Sequence, residues 1–344
     1  MTASTFSLSR VARWEGLLVV VLVGLVWLGT RLSGVFLSAQ NFSNLTVAEM
    51  EIAIIAVPMT LIIIAGEIDL SVESMVGLSS AVLGFLWAAG VPLWIGIPVV
   101  LGMGALGGLM NGVLVMRAGL PSLVVTLGTL ALFRGLASVV LGPRAISNFP
   151  AEFSAFGFGN VPGTPIPWPL VVFALLAIVA GVALHRTWFG RQVFAVGKNQ
   201  SAARYSGVPV ARLKTGLFVV SGLVSALAGV ILTSRLSSAR SDAGTGMTLA
   251  VVTAVLLGGV NIFGGSGTIP GVVLAVFTLA VLQNALRLAD VSTELQSISV
   301  GLLLIVSVVI PNLARQLAHF LRAARAERHP TRGAPERVPP YTPA

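Results

Sequence analysis

The sequence predicts an all-α, polytopic membrane protein of about ten transmembrane helices with both termini in the cytoplasm. Three observations predict it: charge is scarce, apolar runs near membrane length recur, and basic residues collect in alternate connections. Charged residues are 10% and hydrophobic residues 56% of the 344, with a mean hydropathy of +0.95. A soluble domain averages about 25% and 45–50%. An apolar run of about 20 residues suits a helix that crosses a bilayer. A membrane β-barrel would alternate apolar and polar residues along each strand, and these runs do not.

The elements follow in order. A first span at 15–32 follows a cytoplasmic segment, 1–14, that carries Arg10 and Arg13. The pattern resembles a signal peptide, but Leu37-Ser38-Ala39 lacks a small residue at the −3 position and many spans follow, so an uncleaved helix is expected. Spans at 47–65 and 71–89 flank a break at Gly66 that holds Glu67, Asp69 and Glu73. Three acids at the bilayer centre would cost about 7–10 kcal/mol, so they are expected in the break and on its cytoplasmic side. Asp69, followed by Leu70 and Ser71, suits an N-cap for the next span. A cap with a solvated turn, and a gate or contact with cytoplasmic machinery, are both open readings of this cluster.

Spans at 93–116 and 122–141 come next. Gly104, Gly108 and Gly112 repeat every four residues, as do Ser221, Ser225 and Gly229. Such spacing lets membrane helices approach closely, here within the chain or at a dimer seam. Residues 142–168, rich in Pro, Gly, Phe and Asn, read as a structured turn or short re-entrant element. A span at 168–185 leads into a polar island, His185 to Lys214, with six Lys or Arg and no acid. Spans at 214–234, 248–263, 269–287 and 295–312 complete the set, so that the membrane domain covers 15–313. A basic, partly disordered cytoplasmic tail follows at 314–344. The segments IIIAGEIDLSVESMVGLSSAVLGFL around Gly66 and NIFGGSGTIPGVVLAVFTLAVL around Gly265 share a pattern of apolar run, Gly break and apolar run. An internal repeat or shared composition would each produce it.

The charges test this order. The N-terminal segment, the turn at Arg117, the island and the tail hold 15 of the 21 Lys and Arg. Arg31, Arg134, Arg144, Arg235, Arg240 and Arg287 fall outside or near outer span ends. Cytoplasmic connections carry such an excess, so the net charge of +9 is an orientation signal and not a nucleic-acid footprint.

Within and beside the spans stand Asp69, Ser71, Asn111, Thr126, Thr129, Asn261, Gln283 and Asn284, the candidates for a translocation path or gate. Neutral polar groups can pass a hydroxylated solute along by exchanging hydrogen bonds, and can equally join helices. A proton relay would need a series of acids deeper in the spans, and none is read there. Enzyme templates fail. The chain has no Cys, its three His (His185, His319, His329) lie at span ends or in the tail, and GxSxG and HExxH are absent. Gly197-Lys198-Asn199 departs from a phosphate loop, with Gln192 at the first Gly position and Asn199 in place of Ser/Thr. The chain is therefore expected to bind no metal or cofactor, and any ATP to be hydrolysed by a partner.

Inside the island, Asn199 to Ser206 suits a short helix stopped by Gly207 and Pro209, fit to seat in a cleft of a cytoplasmic partner. At this point four blocks resemble a known family: GEIDLSVES from Gly66, LPSLVVTLGTLALFRG from Leu120, HRTWFGRQVFAVGKNQSAARYSGVPV from His185, and SARSDAGTGMTLAVVTAVLLGGVNIFGGSGTIPG from Ser238. The chain is similar to the integral-membrane permeases of bacterial ABC sugar importers, the ribose/xylose-type group, in wording most like the rhamnose and autoinducer-2 permeases. The resemblance implies that Gly197, Lys198, Asn199, Ala202, Ala203, Arg204 and Gly207, with the Val208-Pro209 stop, couple to an ATP-binding subunit. It implies a second permease subunit, a periplasmic or lipid-anchored sugar-binding protein, and the bacterial inner membrane. Glu67 and Glu73 depart from it, standing where the family usually reads Gly. That departure puts a close backbone approach in doubt or adds charge to the cytoplasmic side. A secondary transporter or channel for a small neutral solute is the rival reading.

Overall fold

The computed structural model describes residues 5–307 and 309, with side chains from Trp14 onward. The predicted tail at 314–344 lies outside the described residues, as does the end of the last predicted span. Thirteen helices are described: α1 Thr5–Leu32, α2 Ala39–Ile64, α3 Val72–Ala88, α4 Leu93–Met116, α5 Ser122–Leu141, α6 Ala151–Phe158, α7 Trp168–Arg186, α8 Trp188–Lys198, α9 Gln200–Tyr205, α10 Val210–Leu236, α11 Met247–Leu257, α12 Ile269–Leu288 and α13 Thr293–Ser307. Among the described residues there is no β-strand beyond two isolated bridges, Ile146 with Ala239 and Asn160 with Pro167.

Every predicted span contains a helix, and among the described residues seven are long and apolar enough to cross a bilayer: α1 from Trp14, α2, α4, α5, α7, α10 and α12. The apolar helices α3 and α11 are shorter, and α13 is described only to Ser307. For α3 and α11 the physical reason is local. α3 is bounded by the irregular 67–71 segment after Gly66 (φ +81°) and by left-handed Gly90, and α11 starts where expected but stops at Leu257, before Gly258 and left-handed Gly259. At 1.5 Å per residue the 11 residues of α11 rise about 16 Å, half a hydrocarbon core. Residues 142–168 hold the eight-residue α6, which packs on the end of α10, as a re-entrant element would.

The core gathers around α2 and α10. α2 is buried along most of its length, and it begins eight residues before the predicted span because Ser38 caps it, its Oγ accepting from the Asn41 N–H at 3.1 Å. α10 lies against α4 on the Gly104, Gly108, Gly112 stripe. A Cβ on Gly104 or Gly108 would collide with the α10 carbonyls of Gly222 or Phe218. Gly229, four residues after Ser225, brings α10 close to α3 at Val76 and Ser79. Both stripes thus serve packing within the chain.

Two sequence expectations are corrected here. Acids are buried inside a helix after all: Glu49 and Glu51 of α2 are 5% and 0% exposed. Arg287 pairs with Glu49 at 3.1 Å and Arg235 with Glu51 at 2.7 Å, so guanidinium groups from the ends of α12 and α10 neutralise them. Arg134 is not at an outer span end but in the second half of α5. Its Nη1 donates to the carbonyls of Ser241 and Ala243 at 3.0 and 3.2 Å, holding the irregular segment that leads into α11.

Candidate functional site

The island is more ordered than a loop. α8 runs through its first half, a helix not read from the sequence, and turns Gly190, Val193 and Val196 inward. α9 follows after one residue. Asn199 caps it, its Oδ1 accepting from the Ala202 N–H at 2.9 Å. Gly207 (φ +83°) follows its end, as the sequence suggests, and Pro209 stands at the N-cap position of α10 without a side-chain capping bond. Ala203 is 4% exposed and faces the chain's own core. Ser201, Ala202, Arg204 and Tyr205 face outward, and Tyr205 is 93% exposed. Among the coupling candidates, then, Lys198, Asn199, Ala202, Arg204 and Gly207 present a surface. Gly197 and Val208 are half-buried, and Ala203 is a packing residue. Sequence reasoning does not single out Tyr205, although an exposed aromatic in a short polar helix is a local signal.

The end of α8 meets both Gly breaks at one knot. The Gly265 N–H donates to the Ile64 carbonyl at 2.8 Å, and a Cβ on Gly197 would strike both groups. A Cβ on Gly264 would sit 3.0 Å from the Gly66 Cα, and one on Gly265 2.8 Å from the Lys198 side chain. The two look-alike segments therefore touch at the end of the molecule that carries the island. Asn261 belongs here and not to a path within the bundle: its N–H donates to Ser266 O and its Oδ1 accepts from Phe263 N, closing the 258–268 turn.

The three acids of the first break take separate roles, and none is in a solvated turn. Glu67 accepts from Lys214 Nζ at 2.6 Å, and Lys214 also donates to Gln200 Oε1 at 2.7 Å. Asp69 is 1% exposed. Its Oδ1 accepts from the Ser71 N–H and Oγ at 3.0 and 2.6 Å, and its Oδ2 from Ser221 Oγ at 2.8 Å. The N-cap position of α3 is Ser71, not Asp69, and Asp69 instead closes a turn onto Ser71 and ties the break to α10. Glu73, in the first turn of α3, accepts from the N–H groups of Gly246 and Thr248 at 3.1 Å each, capping α11. The close approach at Gly66 survives, so the added charge of Glu67 and Glu73 is spent on partners.

The remaining path candidates are divided by their partners. Asn111 Nδ2 donates to Ser71 Oγ at 2.9 Å, extending the Asp69 knot to α4, while its Oδ1 is buried without a partner. Thr126 Oγ1 donates to Ser122 O within α5, and Thr129 Oγ1 reaches Thr126 O at 3.3 Å. Asn284 exchanges two 3.0 Å hydrogen bonds with Asn41, joining α12 to α2, and Gln283 Nε2 stands 3.5 Å from Glu49. The Asn111, Gln283 and Asn284 contacts join separate elements, whereas the two threonine contacts stay within α5. Two apolar cavities open on the bundle, one of about 490 Å³ between α2, α7, α8 and α10, and one of about 390 Å³ between α3, α4 and α5. Neither is lined by any of the polar path candidates.

The chain belongs to the family described as branched-chain amino acid transport system / permease component, which matches residues 41–308. It is 43% identical over 264 residues to the autoinducer 2 import system permease protein LsrD of Yersinia enterocolitica, covering 75% of this chain and 79% of that protein. The protein of the same name from Yersinia pseudotuberculosis is 42% identical over the same length and shares. No solved structure matches. The chain is a permease component of an ATP-binding-cassette importer and a multi-pass protein of the inner membrane. Its relatives are transport permeases and not enzymes.

Proposed function

We propose that this permease imports a sugar-like, hydroxylated solute of the autoinducer-2 type, driven by a separate ATP-binding subunit that docks on α9. The observation that carries the docking is the presentation of α9. A capped and Gly-terminated helix of six residues is held rigidly at one end of the bundle while Ser201, Ala202, Arg204 and Tyr205 project from it. A helix without apolar packing of its own on that face suits a cleft in a partner, with Tyr205 as its aromatic anchor. The relatives' name supports autoinducer-2 over rhamnose or ribose.

The solute path runs against a second permease subunit. Asn41, Asn284 and the Asn111 amide nitrogen are engaged between helices, and the two cavities described are apolar, which favours a path for a hydroxylated solute that a second subunit helps to line. A binding protein outside delivers it. Ten crossings with both termini cytoplasmic accommodate the order, with α3 and α11 completed by irregular segments, and the island, at the end rich in Lys and Arg, inside.

The test is reconstitution of the full complex, with ATPase, both permeases and binding protein, in proteoliposomes. Labelled autoinducer-2 is expected to accumulate only with ATP and binding protein. Uptake driven by an ion gradient without ATP would support the secondary-transporter reading and overturn this one.

A further inference from the structure

The break after α2 and the docking helix are joined by one side chain. Lys214, in the second turn of α10, is 3% exposed, and its ammonium lies between Glu67 Oε1 at 2.6 Å and Gln200 Oε1 at 2.7 Å. Gln200 is the first residue of α9, and Glu67 the second residue of the break. We propose that Lys214 gears α9 to the 66–71 break, so that a displacement of α9 by the ATPase is passed to the break as a pull on Glu67. This rests on the reading of α9 as the docking helix.

Three features make the link a transmission and not a surface pair. The ammonium is buried, where water screens little and an ion pair resists extension. Glu67 is followed two residues later by Asp69, which holds Ser221 at 2.8 Å. Lys214 and Ser221 are seven residues apart, two turns along one face of α10, so the break lies along that face with a charged clasp at one end and a hydroxyl clasp at the other. Beyond them Glu73 holds the N-terminus of α11. The backbone knot of Ile64, Gly197 and Gly265 completes the junction, leaving no slack between the end of α8 and the start of the break. A shift of α9 therefore reaches, in sequence, Gln200, Lys214, Glu67, Asp69 and the start of α3.

The experiment measures solute imported per ATP hydrolysed in the reconstituted complex. It compares the wild type, Glu67→Gln, Gln200→Ala and the exchange Glu67→Lys with Lys214→Glu. Glu67→Gln removes the ionic clasp, and Gln200→Ala cuts only its link to α9. Each is expected to lower import per ATP at least about fivefold, the lower range of an allosteric coupling. The exchange restores an ion pair whose carboxylate, now carried by α10, can accept from the Gln200 amide, and it is expected to recover the ratio. An unchanged ratio in Gln200→Ala would overturn the gearing, even if Glu67→Gln proved too unstable to purify. Failure of the exchange to rescue a well-folded complex would also overturn it. If instead the wild-type complex bound no ATPase at α9, the docking reading would fall, which is a separate result.

Discussion

Tyr205 and Ala203 sit two residues apart in α9 and face opposite ways, 93% and 4% exposed. Substitutions at the two should fail differently. Tyr205→Ala removes an aromatic that projects from the chain, so thermal stability in detergent should stay within about 0.5 kcal/mol of wild type. Co-purification of the ATPase should fall by at least about tenfold, a loss of 1.4 kcal/mol or more and within the range for aromatic anchors. Unchanged binding would remove Tyr205 from the interface. Ala203→Leu overpacks the core at about 1–3 kcal/mol, so its melting temperature should drop before any docking effect is read. At this scale, what the sequence shows depends on distance along the chain. The short helix at Asn199 is legible because its signals are local, its cap partner lying three residues away. Glu49 and Glu51 are not, because the arginines that bury them lie 238 and 184 residues on.

Among the elements, the α4–α10 contact and the short α11 make opposite demands on sequence. The Gly stripe of α4 is periodic and legible, and only its partner is open. Gly108→Leu would force α4 away from the Phe218 carbonyl and should lower stability by more than the roughly 1–3 kcal/mol of ordinary overpacking. The same change at Gly128 of α5, whose Cβ would meet nothing within 4 Å, should leave the monomer's melting unaltered. Where hydropathy predicts a span over 248–263, the helix α11 has only 11 residues. Hydropathy marks where a chain is apolar, not where its helix ends: α11 starts within one residue of the expectation and stops at Gly258 and left-handed Gly259 (φ +84°). Its start is held by Glu73, which accepts from the Gly246 and Thr248 N–H groups from a helix 173 residues earlier. Glu73→Ala should strand those donors at about 1–3 kcal/mol each, while Glu73→Gln, which still offers an acceptor, should keep most of the stability. Equal loss in both would assign the stabilisation to charge, through Arg134 at 3.9 Å, and not to capping.

For the whole molecule the question is how helices too short to cross can belong to a crossing chain. Irregular backbone survives at membrane depth only where protein satisfies its polar groups. The segment between α10 and α11 meets that condition: Arg134 takes the Ser241 and Ala243 carbonyls, Ser241 Oγ donates to Gly142 O at 2.8 Å, and Ser80 Oγ accepts from Arg240 N at 3.1 Å. The break before α3 is satisfied in the same way through Asp69 and Ser71. In the proposed ten-crossing order, α3 and α11 would each act with their irregular neighbour as one crossing. The absence of Cys makes this order directly measurable. Single cysteines at Tyr205 and at Thr164, in the turn between α6 and α7, should react with a membrane-impermeant maleimide from opposite sides. Tyr205→Cys should label only in inside-out vesicles and Thr164→Cys only in right-side-out ones. A third probe decides the half-helices. Phe263→Cys, exposed in the turn after α11, should label with Tyr205→Cys if the irregular segment and α11 together cross the membrane. Labelling with Thr164→Cys would mean that α11 does not complete a crossing, and the ten-crossing order with it would fail.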